Sequence, residues 1–149
     1  YPVYSSSAVN NGEFGRYGSY MFDDSRITWS IDGGGKLFFR EPHCYSVTNV
    51  CGWLVSHSDQ VVLKYIYYVL VDQWNRMKFD YTKKAHPSVI RDVYKFSLPE
   101  VTVQREVVEK LLFETLVNDL SSGIHAEIAA RRKQYEYYRD KLLTFKELS

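Results

Sequence analysis

Cysteine is scarce in this chain. Cys44 and Cys51 are the two among 149 residues, too few for a disulfide framework and better suited to a reducing cytoplasm than to secretion. No apolar run reaches the roughly 18 residues needed to span a bilayer, and no leader pattern is visible, so no membrane partner is expected. Neither sign of charge dominates: 19 Lys+Arg face 18 Asp+Glu, with a slight basic excess in residues 1–99, which hold 11 against 9. The paired spacing of a zinc site is also missing, because His43, Cys44, Cys51 and His57 are not arranged as Cys-x-x-Cys. No serine occupies a G-x-S-x-G elbow, and the four histidines lie in unrelated contexts. Asp23-Asp24 reads as turn chemistry. Gly33-Gly34-Gly35-Lys36 runs into the strand-like Leu37-Phe38-Phe39, whereas a phosphate loop leads into a helix. Neither a metal nor a catalytic constellation is expected. The chain begins at Tyr1 without Met, as a fragment or trimmed product would.

What is present is a folding composition: 45% hydrophobic and 16% aromatic residues, with 13 tyrosines. Tyrosine joins a rigid apolar face to a hydrogen-bonding tip, and it serves both cores and recognition surfaces. Residues 1–19 are rich in Ser, Asn and Gly and predict a polar, irregular loop with a turn at Asn10-Asn11-Gly12. Short strands are expected at Tyr20–Phe22, Arg26–Ile31, Leu37–Phe39 and across Tyr45–Val55. Ser58 is placed to cap a helix from about Asp59 to Met77. A basic loop follows at Met77–Pro87, then a strand at Val89–Phe96, with Leu98-Pro99 ending the globular part.

The remainder reads as helix. Val103–Leu120 carries an apolar stripe of Val107, Val108, Leu111, Leu112, Leu116 and Leu120, and a break is expected across Asp119, Ser121, Ser122 and Gly123. From Ala126 to Lys146 there is no Gly or Pro. Ile124, Ile128, Tyr135, Tyr138, Leu142 and Phe145 recur at steps of four and three, with Arg131 the charged interruption. Such a repeat leaves one seam, which asks for a partner helix. Three partners remain open: the chain's own Val103–Leu120 helix, a second copy, or another half of a longer protein. A charge at the seam needs a carboxylate partner and suits a register-setting role for Arg131. Twenty-one helical residues would span about 31 Å. The architecture expected is α+β: a mixed, strand-rich recognition domain at 1–97, then a two-helix coiled-coil spacer at 98–149.

Candidate ligand contacts lie in the loops. Basic and aromatic side chains interleave between Arg76 and Lys84, a mixture suited to phosphate and base-edge contacts. Ser5, Ser6, Ser7, Asn10 and Asn11 supply short hydroxyl and amide groups of the kind that read base edges. With Arg16, Asp32, Lys36, Lys78, Lys83, Lys84 and His86, they form the expected DNA-facing set. The alternative is a coiled-coil interaction module whose first domain binds protein.

The order of these segments resembles a known family. LVNDLSSGIHAEIAARRKQYEYYRDKLLTFKE (Leu116–Glu147) closely resembles the spacer helix of specificity subunits of type I restriction-modification systems. YPVYSSSAVNNGEFGRY (1–17), ITWSIDGGG (27–35) and YSVTNVCGWL (45–54) resemble, in order, the core of their target recognition domain. LPEVTVQREVV (98–108) resembles the Leu-Pro…Gln-x-x-Ile-Val lead into the spacer. The resemblance implies a subunit that is not itself catalytic, recognises one half of a bipartite target in double-stranded DNA, and docks methyltransferase and restriction subunits. S-adenosylmethionine, ATP and Mg would belong to those partners. It also implies a first strand lying before Tyr1. With one recognition domain and one spacer instead of two of each, the chain is expected to form a homodimer or to pair with a second specificity half. His125 departs from the family, many of whose members have proline there.

Overall fold

Arg26–Ser30 reads Arg-Ile-Thr-Trp-Ser, a β-branched and aromatic run that becomes the centre of a sheet. In the computed structural model, which describes residues 1–7, 9–32, 36–76 and 85–143 (backbone alone for 141–143), four successive side chains from Ile27 to Ser30 are almost wholly buried. Burial on both faces is the signature of a central strand. Among the described residues of the first unit, Tyr1–Val108, there are six strands: β1 (Pro2–Tyr4), β2 (Glu13–Arg16), β3 (Arg26–Ser30), β4 (Leu37–Arg40), β5 (Ser46–Val47) and β6 (Cys51–Leu54). They form two three-stranded sheets, β2-β1-β5 and β4-β3-β6. The second is antiparallel throughout, while β1 pairs antiparallel with β2 and parallel with β5. The expected mixed α+β class holds.

Helix α1 (Leu63–Arg76) lays Ile66 and Leu70, one turn apart, on the β3–β4 face. With Ile27, Trp29, Leu37, Ala85, Ile90 and Tyr94 they make the main core. The indole nitrogen of Trp29 donates to the Ala85 carbonyl at 2.8 Å, which ties the sheet to the start of α2 (Pro87–Val93). Glycine at position 52 is required by this packing, since a Cβ there would lie 2.2 Å from the Trp29 ring.

Several local expectations are corrected. The N-terminal segment is no simple loop, because Pro2–Tyr4 and Glu13–Arg16 pair as β1 and β2 around the turn. Tyr20–Phe22 contributes one isolated bridge, Phe22 to Tyr45, in place of a strand. Val89–Phe96 is not a strand. Its β-branched residues mislead, whereas burial of Ile90 and Tyr94 four positions apart follows a helical period, and Pro87 opens the helix at its first position. Ser58 does not cap α1; its hydroxyl accepts from Gln60 N within a turn. The α1 N-terminus is served from a distance by Gln104, whose amide oxygen accepts from Val62 N at 2.8 Å. The Gln104 amide nitrogen donates to the Gln60 and Pro99 carbonyls, and the side chain is wholly buried.

The expected break at Asp119–Gly123 is absent: α3 runs from Val101 to Leu143 as one helix of 43 residues. Ser122 folds its hydroxyl back onto the Asn118 carbonyl at 2.8 Å, as Thr115 does onto Leu111. A lone Gly123 costs about 1 kcal/mol, which intact helical hydrogen bonds on both sides offset. Val103–Leu120 and the rod are therefore the same helix, and pairing of one with the other within this chain is excluded. The second unit begins at Glu109. In it Ile124, Ile128, Tyr135 and Tyr138 are all more than half exposed. Arg131, on the same seam, pairs with Glu127 one turn back. The side chains of Leu142 and Phe145 lie outside the described residues.

Candidate nucleic-acid interface

Described residues from three of the segments singled out by side-chain chemistry are linked through β3 and the β5–β6 connection. The Ser5–Gly12 loop is bolted to the sheets at two successive residues. Ser5 Oγ accepts from Thr48 Oγ1 at 2.9 Å, and the Ser6 carbonyl accepts from Ser30 Oγ at 3.0 Å. Its far end closes through Ser5 N donating to Gly12 O at 3.0 Å. Ser7 Oγ bridges the backbone of Val9, leaving Val9, Asn10 and Asn11 exposed at the tip. Both asparagines hold positive φ, 48° and 51°, a region that asparagine tolerates better than most residues.

Beside this loop, Ala85 N donates to Ile31 O at 2.9 Å and Ile31 N to Val50 O at 3.0 Å. These bonds draw the Asp32 turn, the β5–β6 connection and the approach to α2 together. Asp32 and His86 line one open depression of about 800 Å³ with Thr48, Asn49 and Trp53. His86 also caps α2, its Nδ1 accepting from Ser88 N at 3.5 Å. Lys36 Nζ sits 5.3 Å from the centre of the Phe38 ring. Arg16 lines a smaller depression of about 370 Å³ with Phe14, Tyr17 and Thr48, the last shared with the larger one, and it is paired with Glu13 at 3.0 Å. Lys78, Lys83 and Lys84, and the glycines 33–35, lie outside the described residues.

Thr48 and Asn49 were not among the residues expected from sequence. Their signal was a short polar pair between two strand-like runs, where a turn presents side chains outward. Trp53 was likewise missed. It is 45% exposed and faces the Arg26 guanidinium, whose carbon lies 4.5 Å from its ring and 3.6 Å from that of Phe22. Arg26 is anchored by two bonds to Asp24. The arrangement offers hydroxyls, amides, an imidazole and a carboxylate on a rigid rim. Cys51, beneath it, is held inactive as a nucleophile, since burial pushes its thiol up to about 11. No His, Cys, Asp and Glu cluster able to hold a metal occurs among the described residues.

A strand-built domain with a polar loop rim, followed by a long helix with an apolar seam, defines a recognition module carried on a spacer. Residues 1–130 match the family described as "Type I restriction modification DNA specificity domain", and the chain belongs to that family. It is similar to the type I restriction enzyme MpnII specificity subunit of Mycoplasma pneumoniae, 32% identical over 149 residues that cover 97% of this chain and 44% of that protein. It is similar to the putative type I specificity subunit S.MpnORF365P of the same organism, at 32% identity over 97% of this chain and 54% of the relative. The EcoR124I/EcoR124II specificity subunit of Escherichia coli is 34% identical over 94 residues, or 58% of this chain and 23% of that one. The chain thus spans about half the length of the two Mycoplasma relatives. No solved structure matches it.

Proposed function

We propose that the chain confers DNA sequence specificity on a type I restriction-modification complex: the domain reads one half of a bipartite target, and the helix sets the distance to the other half. The observation that carries this is that Asp32, Thr48, Asn49 and His86 line one depression and that Ser5 and Ser6 are bonded to Thr48 and Ser30 beside it, in a chain whose family is that of DNA specificity domains. Polar side chains there would read base edges, and the basic loop with Lys78, Lys83 and Lys84 would hold phosphates. Methyltransferase and restriction subunits would dock on the chain and supply the chemistry, with S-adenosylmethionine, ATP and Mg as their cofactors.

The exposed seam supports pairing of the helix, with a second copy or with the helix of another specificity half. The rod is longer than the 31 Å expected: residues 109–143 alone span roughly 52 Å. That is more than the roughly 34–36 Å of one DNA turn, so the length of the helix does not by itself imply a spacing of a single turn.

A methylome of cells expressing the chain with its methyltransferase partner tests this reading. A palindromic bipartite motif is expected from paired copies and an asymmetric one from pairing with a different half; no new methylated motif would refute the proposal. The seam also favours a second reading, a coiled-coil assembly module that binds no DNA. Sedimentation with and without duplex DNA separates them, since the module self-associates without a salt-sensitive complex. Replacing Lys78, Lys83 and Lys84 together is expected to weaken DNA binding and flatten its salt dependence. An unchanged slope of log affinity against log salt would remove that loop from the interface.

A further inference from the structure

Arg40, the last residue of β4, is 2% exposed. Its Nε donates to Thr28 Oγ1 at 2.9 Å and its Nη1 to the Asn11 carbonyl at 2.8 Å. The guanidinium carbon lies 3.5 Å from the centre of the Tyr4 ring and 4.7 Å from that of Phe38. No ion pair to Arg40 occurs among the described residues. Burial lowers its pKa. A carbonyl dipole, a hydroxyl and two ring faces compensate the charge where an acid usually would.

A buried arginine is a poor choice for stability alone, because an apolar residue fills such a site without a desolvation cost. Its forked head does what an apolar residue cannot: it holds a carbonyl on the exposed loop. That carbonyl belongs to the middle of three successive left-handed residues, Asn10, Asn11 and Gly12, with φ of 48°, 51° and 78°. Such a run persists only where its surroundings over-determine it. Gly12 is buried, and a Cβ on it would lie 3.0 Å from Arg40 Nη2. The loop and the guanidinium are fitted to one another, while the Asn10 and Asn11 side chains remain free to meet a ligand.

We propose that Arg40 is a positioning residue for sequence discrimination: through the Asn11 carbonyl it fixes the two asparagine amides that read base edges, without itself touching DNA. This rests on the DNA reading given above. A loop already ordered pays less on binding, and an amide held in one direction penalises the wrong base more heavily.

The test is selection from a random-sequence duplex pool by the full chain and its variants. Asn10→Ala and Asn11→Ala, at exposed positions, mark the base pairs the loop reads through a roughly tenfold loss of preference. Arg40→Lys keeps the charge and loses the fork. It is expected to erode preference by a similar factor at those same base pairs, leaving preference elsewhere and the salt slope unchanged. The Arg40→Lys/Asn11→Ala double variant is expected to be no worse than the worse single one. Gly12→Ala disturbs the same contact from the loop side, with the Arg40 side chain itself kept, and is expected to give the same signature, which decides the matter should Arg40→Lys fail to fold. Uniform weakening at every base pair, or preference unchanged in both Arg40→Lys and Gly12→Ala, would overturn the proposal. So would asparagine variants that leave the selected motif intact. A pool that the wild-type chain fails to enrich would overturn the DNA reading, and this proposal with it.

Discussion

The two units of this chain treat polar and apolar groups in opposite ways. In Tyr1–Val108, Thr28, Ser30, Arg40 and Gln104 are buried, three of them bonded to residues distant in sequence and the fourth, Thr28, accepting from Arg40. From Glu109 onward the apolar side chains Leu112, Phe113, Leu116, Leu120, Ile124 and Ile128 are exposed and the ion pairs are local, one turn apart or less. The domain keeps its long-range polar bonds inside; the helix leaves its apolar side chains uncovered. Substitutions in the first should therefore cost folding, and those in the second should cost association.

Gly52→Ala is expected to have the largest effect. A Cβ would stand 2.2 Å from Trp29 Cε2, against a ring of the main core. A loss of about 3 kcal/mol or more follows from such overpacking, to be read from urea melts. Survival of the melting midpoint would show that the sheet can shift away from α1. Gln104→Leu comes next. It removes the partner of the half-buried Val62 N–H and of the Gln60 and Pro99 carbonyls, at about 1–3 kcal/mol for a group that water does not reach and less for the exposed Gln60. Denaturation of the variant at neutral pH checks this.

Alkaline pH should weaken the domain through its buried acids. The Cys51 thiol rises from 9.0 to about 11 by burial, and that of the Tyr94 phenol from 10.0 to about 12. The unfolded chain releases the Cys51 proton first, so stability present below about pH 9 is lost as pH rises toward about 11. The Cys51 contribution is on the order of 2 kcal/mol, and Cys51→Ala should flatten this part of the pH profile. A variant as alkali-sensitive as the wild type would assign the effect to the tyrosines.

On the helix the expected outcomes reverse. Ile128→Lys should change the melting of dilute protein by no more than about 0.5 kcal/mol, as at other exposed sites, yet abolish concentration-dependent association in sedimentation. Retained association would move the seam elsewhere. Arg131→Ala is the smallest change, about 0.3–0.5 kcal/mol, because its pair with Glu127 is exposed and local. If Arg131 sets register, the variant keeps its stability and broadens the range of oligomers it forms.

Legibility from sequence followed the same division. β3, β4 and β6 are strong apolar runs between turns, and the seam repeats visibly, so both were readable. β1 and β2 were not, being three and four residues long around a Ser- and Asn-rich segment whose pairing is set by distant partners. α2 reads as a strand in sequence because Val89, Ile90 and Val93 favour either state and the His86-Pro87 start signal is short. Gly123 suggested a break that a long run of good helix formers overrides. At the site, Ser5–Asn11, Asp32 and His86 could be chosen by chemistry. Thr48 and Asn49 needed the fold to bring them alongside, and Arg40 gave no signal, since a charge at a strand end is ordinarily solvated.

The Asn11-Gly12 pair carries a further consequence, one of chemical lifetime. Asparagine followed by glycine ages when the glycine nitrogen attacks the side-chain amide carbon and expels ammonia, closing a succinimide that water opens to aspartyl and isoaspartyl forms. Here the Gly12 N–H is committed to the Val9 carbonyl at 2.9 Å while Arg40 holds the Asn11 carbonyl from below. The attacking atom is therefore withheld for as long as the loop stays closed. Isoaspartate at Asn11, measured by peptide mapping of stored protein, becomes a clock for loop opening, and it should run faster in an Arg40→Lys chain.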